Sequence, residues 1–266
     1  MHRRQLLVTC ALALVMAVDL HADMAEVKKS GTLRVLVNPD VRRPEFFSVA
    51  PGVPPGFDQE VLRGFARVHG LKLEPVVVDG WEALVPALLA GKGDLIAGRF
   101  TVTAARREQI DFTREVFPYR LVVLTRKPHP VVSTLAQLRS EKVGTTRGSS
   151  LIDGLDAAAV PLANRDDKIP TGAYVDALRS GRVSAVVWGL ECAIPSQRED
   201  PDLELGMFVG TPGSLAYGVR KEDTALLSAL DEHIGALRRS PMYFNLVRRY
   251  FGHDAPQILE KVRKQE

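Results

Sequence analysis

The stretch TVTAAR, residues 101–106, places two threonines and an arginine directly behind the apolar run DLIAG. Hydroxyls beside a planar guanidinium suit the binding of an anion, because the guanidinium fork donates paired hydrogen bonds to a carboxylate and the hydroxyls add donors next to it. Read as the end of a strand turning into a helix, the segment adds unpaired backbone N–H groups to the same site. The pieces also have a plainer use: Thr103 is placed to cap a helix, and an arginine on a helix surface is ordinarily solvated. Catalytic chemistry has less material. His69, His129, His233 and His253 are scattered without metal-ligand spacing, and the chain contains no nucleophile elbow or phosphate-binding glycine loop. No cofactor or metal is expected.

Positioning these residues requires alternating strands and helices. LRVLVN (33–38), LKLEPVVV (71–78), DLIAG (94–98), YRLVVLTRK (119–127), KVGTT (142–146), VSAVVW (183–188) and LAYGVRK (215–221) are rich in Val, Ile and Leu, as strands buried on both faces are. Phe57, Val61, Leu62, Phe65 and Ala66 share one helical face that Gly70 ends, and Trp81 to Ala90 repeats the arrangement before Gly91. Leu226, Leu230, Ile234 and Leu237 mark a long amphipathic helix, and Leu246, Val247 and Tyr250 a shorter one. The alternation predicts an α/β fold of open, mostly parallel sheets, with ligands beyond the carboxyl ends of the strands.

Composition is that of a globular protein, 45% hydrophobic and 25% charged in 266 residues, and a net charge of +3 gives no reason to expect nucleic acid as a partner. MHRRQLLVTCALALVMAVDLHA combines a basic start, an apolar run from Leu6 to Val18 and a small residue, Ala22. Residues 1–22 therefore read as a signal peptide cleaved near Ala22, by the general or the twin-arginine route, with an uncleaved anchor as the alternative. Cleavage would leave Cys192 alone, so no internal disulfide is expected in a periplasmic protein held together by its core.

TVTAAR, IDFT (110–113) and FPY (117–119) resemble motifs of the bacterial extracellular solute-binding proteins of the amino-acid type, family 3. GTLRVLV, GFDQEVLRGFARVHG, WEALVPALLAGKGDLI, KVGTTRGSS, ALRSGRVSAVV and the C-terminal LAYGVRKEDTALLSALDEHIGALRRSPMYFNLVRRYFG follow in the family's order. GSSLIDGL and the C-terminal portion look similar to the solute-binding half of the membrane-bound lytic transglycosylases. The resemblance implies a two-lobe periplasmic-binding-protein-like fold of type II: two mostly parallel sheets, helices on both faces, and two hinge crossings near 120–127 and 212–219. Lobe one would comprise 27–122 with 216–266, and lobe two 123–215. It further implies a monomer that captures a small carboxylate-bearing ligand, an amino acid or related organic anion, by hinge closure and delivers it to an ABC-type membrane permease.

Residue by residue, the resemblance makes Arg106 the partner of the ligand carboxylate and Thr101 its support, with Gly148, Ser149 and Ser150 donating from the second lobe. Trp81 would wall the ligand side chain and Asn38 stand at the cleft edge; their plainer roles are a core tryptophan and a turn residue. Three departures bear on the ligand. Amino-acid binders of the family place an aspartate where this chain has Gly189, so either Glu191 takes its role or the ligand lacks an α-ammonium. Arg99 replaces a common glycine and, in an extended strand, would point to the side of Thr101, toward an anionic ligand or a protein acid at the lobe edge. The tyrosine-bearing segment of the family is replaced near 41–43, with Phe46 a substitute. Trp188 would line the pocket or face the core. Two other readings stay open: an accessory or sensing module related to the transglycosylase domains, and an enzyme like the cyclohexadienyl dehydratases in which Glu191, its pKa raised in a dry pocket, is a general acid.

Overall fold

A computed structural model describes residues 23–38, 45–49, 51–253 and 255–264. The expected leader and the segment near 41–43 lie outside them. Among the described residues no helix is long and apolar enough to cross a membrane.

The first sheet begins with α1 (Met24–Ser30), β1 (Thr32–Val37), α2 (Phe57–His69), β2 (Lys72–Val77), α3 (Leu84–Leu89), β3 (Leu95–Ile96), the single-turn α4 (Ala104–Arg107) and β4 (Asp111–Phe112). The chain then enters the second sheet through β5 (Phe117–Arg126), α5 (Leu135–Ser140), β6 (Val143–Gly144), α6 (Leu151–Ala157), β7 (Arg165–Asp166), α7 (Tyr174–Arg179), β8 (Ala185–Gly189), α8 (Leu190–Glu199) and β9 (Leu203–Leu215). It returns to the first sheet with β10 (Gly218–Val219) and closes with α9 (Thr224–Arg238), α10 (Pro241–Phe251) and α11 (Ala255–Lys264).

Strand order is β2-β1-β3-β10-β4 in one sheet and β7-β6-β8-β5-β9 in the other. Both sheets are mixed, which corrects the expectation of mostly parallel pairing. β1 runs parallel to β2 and β3, and β6 parallel to β7 and β8, as strand-helix-strand units demand. The antiparallel neighbours, β10 in one sheet and β5 and β9 in the other, adjoin the passages between sheets. β5 and β10 arrive from the other sheet and β9 leaves for it, so β5 and β10 are not bound by the crossover geometry that keeps βαβ strands parallel. Those passages lie at 113–116 and 216–217. The first precedes the expected 120–127, because Leu121–Leu124 already pair with β8. β2 also departs from the reading: its side chains are mostly exposed, as suits an edge strand that contains Pro75.

The helical faces fall as the spacing predicts. Phe57, Val61, Leu62, Phe65 and Ala66 are buried, and Gly70 caps α2 in the left-handed region at φ 67°. Before α3 the chain makes a 3₁₀ turn over Trp81–Ala83, so the segment with Pro86 does not start as regular helix. At the base of the first passage, Phe57 stands against Phe46, Phe117, Tyr243 and Phe251, with ring centroids 5.5–6.1 Å apart. Phe46 is therefore a core residue and takes no place in the cleft, a correction to its suggested role; its backbone carbonyl accepts from Asp58 N at 2.9 Å and locks the chain into α2.

Phe57→Ala is expected to lower the unfolding free energy by about 3–5 kcal/mol, since it opens a cavity under the passage into β5. The check is the denaturant midpoint, and an unchanged midpoint would show that the cluster does not hold the passage.

Candidate functional site

β3 stops at Ile96 because the next residues turn away from the sheet. Gly98 and Arg99 both have left-handed backbone, φ 85° and 64°. The conformation is free for glycine but costs a residue with a Cβ about 1–2 kcal/mol. Asp58 holds the turn: its Oδ2 accepts from the N–H of Gly98 at 3.0 Å and of Arg99 at 3.2 Å, and its Oδ1 accepts from the Tyr217 hydroxyl at 3.1 Å. Burial pushes Asp58 up to about 6, while the donors from Arg99, Tyr217 and Gly98 pull it back down. Arg99 is thus not on an extended strand. Its side chain still reaches the cleft, with Cζ 5.7 Å from the Trp81 ring and Nη1 donating to Cys192 Sγ at 2.7 Å.

The segment that follows is stitched to the returning chain. Thr101 bridges Leu215, Val102 N donates to the Ser214 carbonyl at 3.0 Å, and Ala216 N donates to the Phe100 carbonyl at 3.0 Å. Thr103 then caps α4, its hydroxyl accepting from Arg106 N at 3.3 Å. With that hydroxyl occupied and α4 a single turn, the helix start offers little to an anion, and the donors that remain for one are on the arginine side chain. Arg106 Nη1 donates to the Thr101 carbonyl at 2.7 Å, and its Cζ lies 4.1 Å from the Phe100 ring. Among the described residues, Tyr119 and the Asp153 carboxylate act on its charge at longer range. Withdrawal from water pulls Arg106 down to about 10, so it remains a cation at neutral pH.

The second sheet supplies the opposite wall. Ser150 Oγ donates to Thr101 Oγ1 at 2.9 Å across the cleft, and the Tyr119 hydroxyl lies 3.5 Å from Ser150 Oγ. Trp81 Nε1 donates to Thr171 Oγ1 at 3.2 Å, a second direct bond between the walls. Trp188 packs on Tyr174 at 5.0 Å between centroids and also faces the cavity, so it serves both expectations. The space between the walls is ≈ 40 Å³, room for a few waters.

Glu191 bends back over Gly189. A Cβ added at Gly189 would collide with the Glu191 carboxylate, which fills the place where a side chain at 189 would begin. Oε1 lies 3.8 Å from Cys192 Sγ, and the buried Oε2 has no hydrogen-bond partner among the described residues. Burial pushes Glu191 up to about 7; the charge of Arg99 and the Cys192 thiol pull it down, and Glu45 pushes it up.

Of the residues singled out in the sequence, Arg106, Thr101, Ser149, Ser150, Trp81, Arg99, Trp188 and Glu191 converge on this cavity. Gly148 and Asn38 are not among its lining residues. Gly148, at φ 73°, abuts Glu82 from the first sheet, and half-buried Asn38 follows the end of β1. Ser149 lines the cavity, yet its hydroxyl donates to the Thr146 carbonyl at 2.6 Å. Sequence reasoning missed Tyr119, Thr171 and Tyr174 as lining residues. The FPY motif was a signal for Tyr119; Thr171 and Tyr174 had none, because only folding brings their loop to Trp81 and Trp188.

An acid raised above its ordinary 4.5 to about 7 by the fold binds a proton more tightly in the native than in the unfolded chain. Its contribution is therefore present below about 4.5 and lost as pH rises through 7. Glu191→Gln is expected to flatten the fall in melting temperature between these pH values. A slope identical to that of the parent would contradict a buried, proton-binding Glu191.

The chain matches the family described as bacterial extracellular solute-binding proteins, family 3, over residues 33–253. It is 25% identical over 206 residues to membrane-bound lytic murein transglycosylase F of Desulfosudis oleivorans, covering 74% of this chain and 44% of that protein, less than half its length. It is also 25% identical over 199 residues to a probable histidine-binding protein of Campylobacter jejuni, covering 73% of this chain and 76% of the relative. Among solved structures, the P235GK mutant of ArgBP from T. maritima superposes with a TM-score of 0.73 at 28% identity, covering 86% of this chain and 99% of that one. With its matched residues spanning both sheets and both walls of the cleft, this chain belongs to the bacterial extracellular solute-binding proteins, family 3.

Proposed function

We propose that the protein captures a small carboxylate-bearing ligand in the periplasm and passes it to an ABC-type membrane permease, the two sheets with their helices closing on it as hinged lobes. One observation carries the reading: Arg106 is a cation withdrawn from water, answered by a backbone carbonyl and a ring face, beside a cavity that hydroxyls from both walls share. A carboxylate bound there would restore by charge-assisted hydrogen bonds what burial removes. Thr101 and Ser150, already bonded to each other, would turn to the ligand and add contacts from both walls, which is what biases a hinge toward its closed state. The binding proteins for amino acids among the relatives support this reading, as does the leader-like N-terminus.

A second reading, an accessory module that senses a cell-wall fragment for a partner protein, draws on the several transglycosylase F relatives, 23–25% identical. Binding of a muropeptide in preference to free small carboxylates would favour it.

Arg106→Ala is expected to abolish ligand binding, measured by calorimetry, while the melting temperature of the unliganded protein holds or rises. Arg106→Lys is expected to bind weakly, because an ammonium lacks the paired donors of the guanidinium. Full affinity in the alanine variant would overturn the site.

A further inference from the structure

Two guanidinium groups line the cavity, at separate places on its wall. Arg99 and Arg106 both line it, and Glu191 is the one carboxylate among its described lining residues. Glu191 already answers Arg99. The Cys192 thiol receives Arg99 Nη1 at 2.7 Å and stands 3.8 Å from Glu191 Oε1, so the three groups form one cluster. An ammonium on a ligand at this end would lie beside the Arg99 guanidinium, away from bulk water, where like charges are costly.

A further observation points the same way. Arg99 keeps a left-handed backbone that glycine would adopt without strain, and retained strain at a cavity wall signals that the side chain has a use there.

We infer that the ligand is an organic acid without an amino group, its carboxylate held by Arg106, Thr101 and Ser150 and an oxygen at its other end, from a second carboxylate, a keto group or a hydroxyl, held by Arg99. This rests on the carboxylate site proposed above. Arg99 is then the residue that separates this chain's ligand from the amino acids its relatives are named for.

Calorimetry on the mature chain with pairs that share a carbon skeleton tests it: 2-oxoglutarate against L-glutamate, succinate against L-aspartate, pyruvate and lactate against L-alanine, with L-arginine and L-histidine added. The amine-free member of at least one pair should bind roughly tenfold tighter or more, the scale of one unfavourable charge contact. Arg106→Ala should remove that binding. Arg99→Gly should narrow the preference severalfold while the melting temperature holds or rises. An amino acid that binds as tightly as its amine-free partner, yet is lost in Arg106→Ala, overturns this inference and leaves the carboxylate site standing. A preference untouched by Arg99→Gly overturns the role of Arg99. If neither panel binds, or binding ignores Arg106→Ala, the carboxylate site fails and this inference with it.

Discussion

A guanidinium held away from water has to be compensated, and much of this structure is arranged around one that is compensated only in part. Arg106 has a backbone carbonyl and the face of Phe100, contacts that are weaker than a paired carboxylate. What keeps it there is the rigidity of its platform. Thr103 takes its backbone N–H, Thr101 bridges Leu215, and the neighbouring residues bond to the returning chain at Ser214 and Ala216. The strand-turn-helix that carries the arginine is thereby fixed to the segment linking the two sheets.

That connection explains why the mixed topology matters to the site. β5 and β9 pair along most of their lengths, with irregular register near Tyr119 and Val122, and Tyr119 points into the cleft from that irregularity. The aromatic cluster of Phe46, Phe57, Phe117, Tyr243 and Phe251 packs beneath the same passage. Among the described residues, direct bonds across the cleft join Ser150 to Thr101, Trp81 to Thr171 and Arg99 to Cys192. Each is worth about 0.5–1.5 kcal/mol net.

Asp58 acts at one remove from the cavity. By accepting the N–H groups of Gly98 and Arg99 it holds a backbone that an arginine would not choose, and Tyr217 secures it from the strand side. The positions of Arg99, Cys192 and Glu191 thus depend on a buried acid that no ligand would touch. Such a support is needed wherever a charged side chain is set on a strained turn, since an exposed loop would relax it.

Much of the fold was legible in the order of residues. Helical periodicity located Phe57, Val61, Leu62 and Phe65 on one face, and the short Val-rich runs located most strands, because burial against a neighbour imposes those periods locally. TVTAAR marked Arg106 and Thr101 for the same reason: strand end, cap and arginine lie within one turn of chain. The antiparallel partners were not legible, because strand direction within a sheet is set by where the chain re-enters from its other half. Tertiary structure alone placed Thr171 and Tyr174 beside Trp81 and Trp188, moved Gly148 and Asn38 out of the cavity lining, and turned Arg99 off its strand onto Asp58. It also laid the Glu191 carboxylate over Gly189, next to a cation ninety-two positions earlier in the chain. Sequence determined which charges the protein owns; which of them meet depends on long-range closure of the chain, and no local pattern encodes that.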